Sequence, residues 1–359
     1  MRAANSRGKR NRSRTAGVII LSALYLTAIF AGFLAPYDYR EQVRREPSAP
    51  PTSIRFFDAE GTFHLRPFIY RRQLMDARNG VYQEDASRIY PLAFLARGSS
   101  YNLIGLANTG RHLFGVGIPA ERTSSLQDVP KVHLLGTDQL GRDRFSRLLY
   151  AIRFSLIVSP AGTILACLIG IAFGSISGYA GSHIDSVMMG VADTVIALPA
   201  LILILAARAA FPPELPPMTA ALLLIGIFAL TGWAEMARLT RSLVLATKRL
   251  DYVTAARSIG LTELQMLRRH ILPNIATPLL IQATLLLPVF LLAEVALSFL
   301  GVGLQEPEPS LGNMLSSAGD LSLLRNSPFL MLAPAIPIFL FVLGVRLIAG
   351  RSASLKTRY

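Results

Sequence analysis

The chain has 359 residues, 52% of them hydrophobic and only 16% charged, with a formal net charge of +14. Its apolar runs reach the roughly 20 uncharged residues that a bilayer core requires, which excludes an ordinary soluble domain and defines a multi-span membrane protein. The basic residues gather at the ends of those runs, where they meet anionic lipid and set orientation, and no aromatic-interleaved basic stripe points to nucleic acid.

Residues 1–15 hold Arg2, Arg7, Lys9, Arg10, Arg12 and Arg14 and no acid, a cluster that stays cytoplasmic. Residues 16–35 form the first spanning helix. The uncharged run Gly17–Ala35 is longer than the roughly 7–15-residue apolar core of a cleavable signal peptide, which reads as an anchor. From 36 to 132 proline, charge and aromatic residues rise and no spanning run occurs, so this stretch is a small β-rich domain on the outer face. Two short strands are predicted around a turn at Ala59–Gly61, with a second β-like stretch near Tyr90–Leu106.

The apolar remainder of the chain is one core from 133 to 350. His133-Leu-Leu-Gly-Thr-Asp-Gln-Leu-Gly-Arg-Asp opens it, with Gly136 and Gly141 allowing turns and Asp138, Arg142 and Asp143 placed to pair locally. An interfacial helix follows. The second span is then predicted over about 154–178, the third over 184–207, the fourth over 218–239, the fifth over 278–300 and the sixth over 329–348. In the second, Gly162, Gly170, Gly174 and Gly178, with Ala166 between, recur at four-residue spacing, a pattern that lets membrane helices pack backbone to backbone. Charge asymmetry tests this layout. The loop 241–276 and the tail 351–359 are basic, whereas 211–217 and 305–328 carry Glu214, Glu306, Glu308 and Asp320 against one Arg325. Both termini are therefore expected in the cytoplasm.

The loop 241–276 is unusually structured for a connection between spans. Asp251 can cap a first helix. Ala255 and Ala256 keep a face small, so that another surface can approach. Gly260 permits the left-handed conformation that ends helices. Thr262 and Gln265 form a capping box for a second helix, on which Leu264, Leu267 and Ile271 make one apolar stripe, and Pro273 ends it.

The run Tyr252-Val-x-Ala-Ala-Arg-x-x-Gly followed by Arg269-His-Ile-Leu-Pro-Asn resembles the EAA loop of ABC-importer permeases and is most similar to the dipeptide/oligopeptide/nickel branch. The Gly-Thr-Asp-x-x-Gly-Arg-Asp segment at 136–143 resembles that branch too, as does Leu-Ala-Glu-Val-Ala-Leu-Ser-Phe-Leu-Gly around Glu294. A fourth likeness is Gln-Glu-Pro-Glu-Pro-Ser-Leu-Gly-Asn-Met-Leu at 305–315, where Leu311 replaces the branch's tryptophan. Thr254 stands where the motif has its naming glutamate.

This resemblance implies an all-α polytopic membrane protein of the type I ABC importer permease class, with six transmembrane helices and the β-rich extracytoplasmic insertion between the first two. It implies that Asp251, Tyr252, Thr254, Ala255, Ala256, Arg257, Gly260, Leu261 and Pro273 dock an ATPase subunit. It also implies a heterodimer with a homologous permease, two cytoplasmic ATP-binding subunits, an extracytoplasmic solute-binding protein and an inner-membrane, lipid-embedded location. Glu294 and Asp193 are candidates for the translocation path, because an intramembrane acid faces a bundle interior or a watery cavity. Glu235 beside Arg238 reads as structural.

No Gly-x-x-x-x-Gly-Lys-Ser/Thr loop is present, so ATP hydrolysis is expected on partner subunits and no cofactor is expected here. The five histidines, His64, His112, His133, His183 and His270, lack metal-ligand spacing. The alternative function is a secondary transporter or channel independent of ATP, which requires inverted repeats or broken mid-membrane helices; neither is legible in the sequence. A receptor or enzyme acting through 36–131 would need a chemical constellation that is absent there. Peptides are the expected cargo, with nickel, opines or oligosaccharides as alternatives.

Overall fold

A computed structural model describes residues 2–76, 80–103, 107–117, 129–316 and 332–349. The tail 351–359, residues 317–328 of the loop 305–328 and the start of the expected sixth span lie outside these. So does the end of the β-like stretch at 104–106. The chain divides into two compact units.

One unit comprises residues 23–154 and 306–337. It holds the end of helix α1 (Arg2–Ile29), the short α2 (Ala31–Leu34) and an antiparallel meander of four strands in sequence order. The strands are β1 (Arg55–Phe57), β2 (Phe63–Asp76), β3 (Val81–Leu103) and β4 (Ala107–Val116). The β1–β2 turn forms where expected. Gly61 takes φ +85°, and the Asp58 carboxylate accepts the backbone N–H of Glu60 at 3.0 Å and of Thr62 at 2.8 Å. The second β-like stretch belongs to one long strand, β3, which serves two partners. The first part of β3 pairs with β2 and the remainder with β4, from Leu92 opposite Val116 to Leu103 opposite Ala107. Phe68, Ile69 and Tyr70 of β2 are buried.

The other unit comprises residues 1–22, 155–305 and 338–359. Its helices are the continuation of α3 (Arg144–Tyr179), then α4 (Ser182–Ala197), α5 (Ala200–Ala209), α6 (Pro217–Thr247), α7 (Asp251–Ser258), α8 (Glu263–Met266) and α9 (Leu272–Phe299). A π-helical turn, Leu267–Ile271, joins α8 to α9. In chain order come α10 (Leu311–Ser316), which belongs to the first unit, and α11 (Ala335–Ala349). Gly17 of α1 and Gly344 of α11 meet closely. A Cβ at Gly17 would stand 2.9 Å from Leu347 Cβ, and one at Gly344 2.9 Å from Leu21 Cγ.

Among the described residues three helical runs are long and apolar enough to cross a membrane: α3, α6 and the run Glu263–Phe299. Two expectations about spans need correction. The interfacial helix before the second span is not separate, because α3 runs unbroken from Arg144. The third span is broken: α4 and α5 meet at 88°. The cause is local. Pro199 supplies no N–H, and proline pushes the residue before it out of the helical region; Leu198 sits at φ −90°, ψ 135°. Counting the bent pair as one span gives up to four.

Backbone approach builds the helical unit. A Cβ at Gly162 would lie 2.8 Å from Phe228 Cβ, at Gly170 2.6 Å from the Trp233 carbonyl oxygen, at Gly174 2.8 Å from Thr240 Cβ, and at Gly178 2.8 Å from Val244 Cγ1. These four glycines of α3 thus follow α6 for most of its length. Phe228 of α6 stacks on Phe290 of α9 with centroids 4.8 Å apart. Arg208, 1% exposed, closes the end of α5 by donating to the carbonyls of Phe211, Pro212 and Pro213.

Candidate functional site

The elbow at 251–274 is two helices clamped on one hydrophobic core. Leu250, not Asp251, is the N-cap of α7; it makes no side-chain cap bond, and Asp251 lies in the first turn, where a carboxylate favours the positive end of the helix dipole. At the other end Gly260 takes φ +89°. The Gly260 N–H bonds the Arg257 carbonyl at 3.0 Å and the Leu261 N–H the Ala256 carbonyl at 3.4 Å, the paired bonds of a Schellman stop. Thr262 then opens α8 with both halves of the capping box present. Arg257 pairs with Glu263 at 2.9 Å across the bend. Asn274 Nδ2 donates to Tyr252 Oη at 2.8 Å, tying α7 to α9.

The inward face of α7 is Val253, 1% exposed, and Ala256, 7% exposed. Val253 joins Met236, Val244, Met266, Ile271 and Ile275 in one core cluster. The two alanines therefore do not share a small outer face, since neighbours on a helix point about 100° apart. Ala255 is exposed, as are Asp251, Tyr252, Thr254, Arg257 and Gly260, and Leu261 is half-buried. The expected stripe of Leu264, Leu267 and Ile271 also divides. Leu264 is 56% exposed while Ile271 is buried, because the π-turn adds a residue and rotates the face; Met266 takes the inward position. Pro273 does not end a helix but lies inside the continuous run Glu263–Phe299, just after the π-turn. Ile259, 78% exposed, is an outward apolar group that helical periodicity does not single out, because it follows the last turn of α7.

The segment at 133–150 is a second built site, within the sheet-bearing unit. Asp138 accepts the backbone N–H groups of Leu140 and Arg142, each at 2.9 Å, and Arg142 Nε at 2.6 Å. Asp143 caps α3 by accepting the Ser146 N–H at 2.7 Å and is hydrogen-bonded to the buried His133 Nδ1 at 2.8 Å. Glu306 joins Arg142 and Arg147. Burial alone would lower the Arg142 guanidinium, but the charges of Asp138 and Glu306 prevail and hold it above its ordinary value. Tyr39 donates to Glu308 at 2.7 Å; burial first, then that carboxylate, push its phenol up. Gly136 and Gly141 have φ +68° and +74°. Leu311, at the branch's tryptophan position, is fully buried.

The intramembrane acids divide by environment. Glu294 is 0% exposed, and its oxygens accept from Ser155 Oγ at 2.6 Å and Ser298 Oγ at 3.0 Å. Asp193 is exposed and paired with Arg238. Among the described residues no three His, Cys, Asp or Glu side chains gather as a metal-binding set.

Long apolar spans, glycine-mediated helix contacts and a capped helical elbow together define a helical, multi-span membrane protein. Residues 170–354 match the model of the binding-protein-dependent transport system inner membrane component, and 3–51 that of the N-terminal TM domain of oligopeptide transport permease C. The dipeptide transport system permease protein DppC of Bacillus subtilis (strain 168) is 38% identical over 51% of this chain and 55% of its own length, so the match spans little more than half of that relative. The oligopeptide transport system permease protein OppC of the same strain is 35% identical over 61% of this chain and 69% of its own. A chain of the inward-facing MetNI methionine ABC transporter aligns with TM-score 0.43 and 15% identity, covering 59% of this chain and 94% of that one. The chain belongs to the family of binding-protein-dependent transport system inner membrane components, in its dipeptide/oligopeptide permease branch. It is an inner-membrane, multi-span permease subunit and not itself a catalyst.

Proposed function

We propose that this chain is one membrane half of an ATP-driven importer of peptides, paired with a homologous permease, with two ATPase subunits inside and a solute-binding protein outside. The observation that carries the reading is the elbow. Its capping box, Schellman stop and cross-bend bonds hold a short helix rigid, while Tyr252, Ala255, Ile259 and Leu264 stay exposed on it. Apolar groups on a rigid, polar-flanked projection are the chemistry of a partner's groove. ATP-driven closure of the partners would pull on α7, and the continuous run through α8, the π-turn and α9 would carry that movement into the membrane, biasing inward and outward states.

In this reading the chain makes six crossings, α1 and α11 included. Both termini and the elbow are cytoplasmic, and the four-stranded sheet is extracytoplasmic. Peptide cargo is supported by the names of the relatives. Thr254, whose hydroxyl bonds the Leu250 carbonyl at 3.4 Å, leaves the elbow without the motif's carboxylate contact.

A second reading, a transporter independent of ATP, draws support from the 88° break between α4 and α5, the kind of interruption such proteins use. Uptake of a labelled tripeptide into proteoliposomes holding the chain and its partners separates the two. The importer reading expects uptake only with ATP and a solute-binding protein; uptake by this chain without either supports the second.

A further inference from the structure

We propose that a polar stripe on α6, with Asp193 of α4 and Gln282 of α9, lines the water-filled passage and holds the two charged ends of a peptide zwitterion in transit. The proposal rests on the peptide-importer reading and assigns that reading's cargo contacts.

The outward face of α6 changes character along its length. In its first half Met218, Leu222 and Leu230 are 71%, 61% and 66% exposed. From there Thr231, Glu235, Arg238 and Ser242 follow at spacings of four, three and four, one side of a helix. Glu235, Arg238 and Ser242 are exposed and Thr231 is half-buried. Arg238 lies nine residues from the end of α6, about 14 Å along the axis.

Partners from two further helices converge there. Arg238 Nη2 pairs with Asp193 Oδ1, and the two side chains are 52% and 56% exposed. Gln282 Nε2 donates to Glu235 Oε2 at 3.2 Å. The neighbouring Asp185 and Arg241 pair with each other, and Ser177 donates to the same acid, so that pair is already satisfied.

A face in contact with lipid tails cannot carry exposed acids cheaply, and a long arginine stem near a helix end can snorkel where a short aspartate cannot. Acids and a base that pair across helices yet remain half open to the outside fit a wetted cavity. The patch offers one guanidinium and two carboxylates. A linear peptide presents the complement, a terminal carboxylate and a terminal ammonium, and can exchange partners with the Arg238–Asp193 pair.

The test uses the complete importer in liposomes, on a Cys167→Ala background, with trialanine as cargo. Single cysteines at 235, 238 and 242 are compared with Leu230→Cys for reaction with a membrane-impermeant sulfonated thiol reagent. The stripe is expected to react at least about tenfold faster than position 230. Equal rates overturn the lining.

In parallel, Arg238→Gln is expected to lower maximal trialanine uptake about tenfold, the loss of one charged hydrogen bond, while Arg238→Lys keeps most of it. The double variant Asp193→Asn/Arg238→Gln decides between roles. If the pair is only a structural tie, removing both charges restores uptake and the cargo contact is overturned; if Arg238 meets cargo, the double variant stays impaired. The labelling needs no cargo, so a wild-type complex that labels on the stripe but moves no trialanine overturns the peptide reading separately from the lining.

Discussion

At the scale of single residues, polarity is legible in the sequence but the direction a side chain faces is not. Glu294, Asp193 and Glu235 all stand out as acids in apolar runs, yet only Glu294 is fully enclosed, with a serine on each oxygen. Glu294→Gln keeps an acceptor for one serine and is expected to fold. Glu294→Leu strands two buried hydroxyls and is expected to cost about 2 kcal/mol, read as a lower midpoint of thermal unfolding in detergent; an unchanged midpoint would show that the serines find other partners.

Asp58 makes a pH prediction. Its bond to His64 first, then the Thr62 and Glu60 N–H groups, hold its carboxyl below the ordinary value. The folded value is depressed, so the stabilisation is complete above the unfolded value of about 4 and is lost as pH falls through the folded one. The protection of the Thr62 amide against exchange, relative to its intrinsic rate at each pH, is therefore expected to fall below about pH 4 in the wild type, and to be low throughout in Asp58→Ala.

At the scale of elements, local chemistry reads well and packing reads less well. The Gly260 stop, the Thr262–Gln265 box and the Gly61 turn follow from which residues tolerate positive φ or reach a free N–H, and they form as the sequence predicts. The π-turn at 267–271 and the split of β3 between two partners have no such signature, because they are fixed by what the neighbouring segments offer. The inward side of α7 is likewise a matter of the core behind it, which is why Ala255 and Ala256 separate.

Thr262→Ala is expected to cost α8 about 1 kcal/mol, seen as faster amide exchange at Gln265 with no change in α6. Gly174→Leu drives a side chain into Ala237 and Thr240 and is expected to destabilise the helical unit by about 1–3 kcal/mol. Gly190→Leu, with open space around it, is the control that should leave the melting temperature unchanged in the isolated subunit.

At the scale of the whole molecule, composition and charge asymmetry sufficed for the membrane class, and the spaced motifs for the family. The sheet's fourth strand and the exposed charge patch on α6 were not legible, since each depends on contacts far apart in sequence; the bend at Pro199 has a local cause, but a proline by itself does not fix how far a span turns. The account's central claim is that the outward face of α7 is where a partner ATPase docks. Affinity purification of this chain in mild detergent, from cells making its natural neighbours, tests it most directly when wild type is compared with Ala255→Glu. Ala255 is the residue to change, because Ala256 is buried and a glutamate there would disturb the fold itself. The account predicts that an ATPase pair and a second permease accompany the wild type, and that Ala255→Glu keeps the permease but loses the ATPases. Wild-type chain that purifies without an ATPase, or ATPases retained in full by Ala255→Glu, would contradict it.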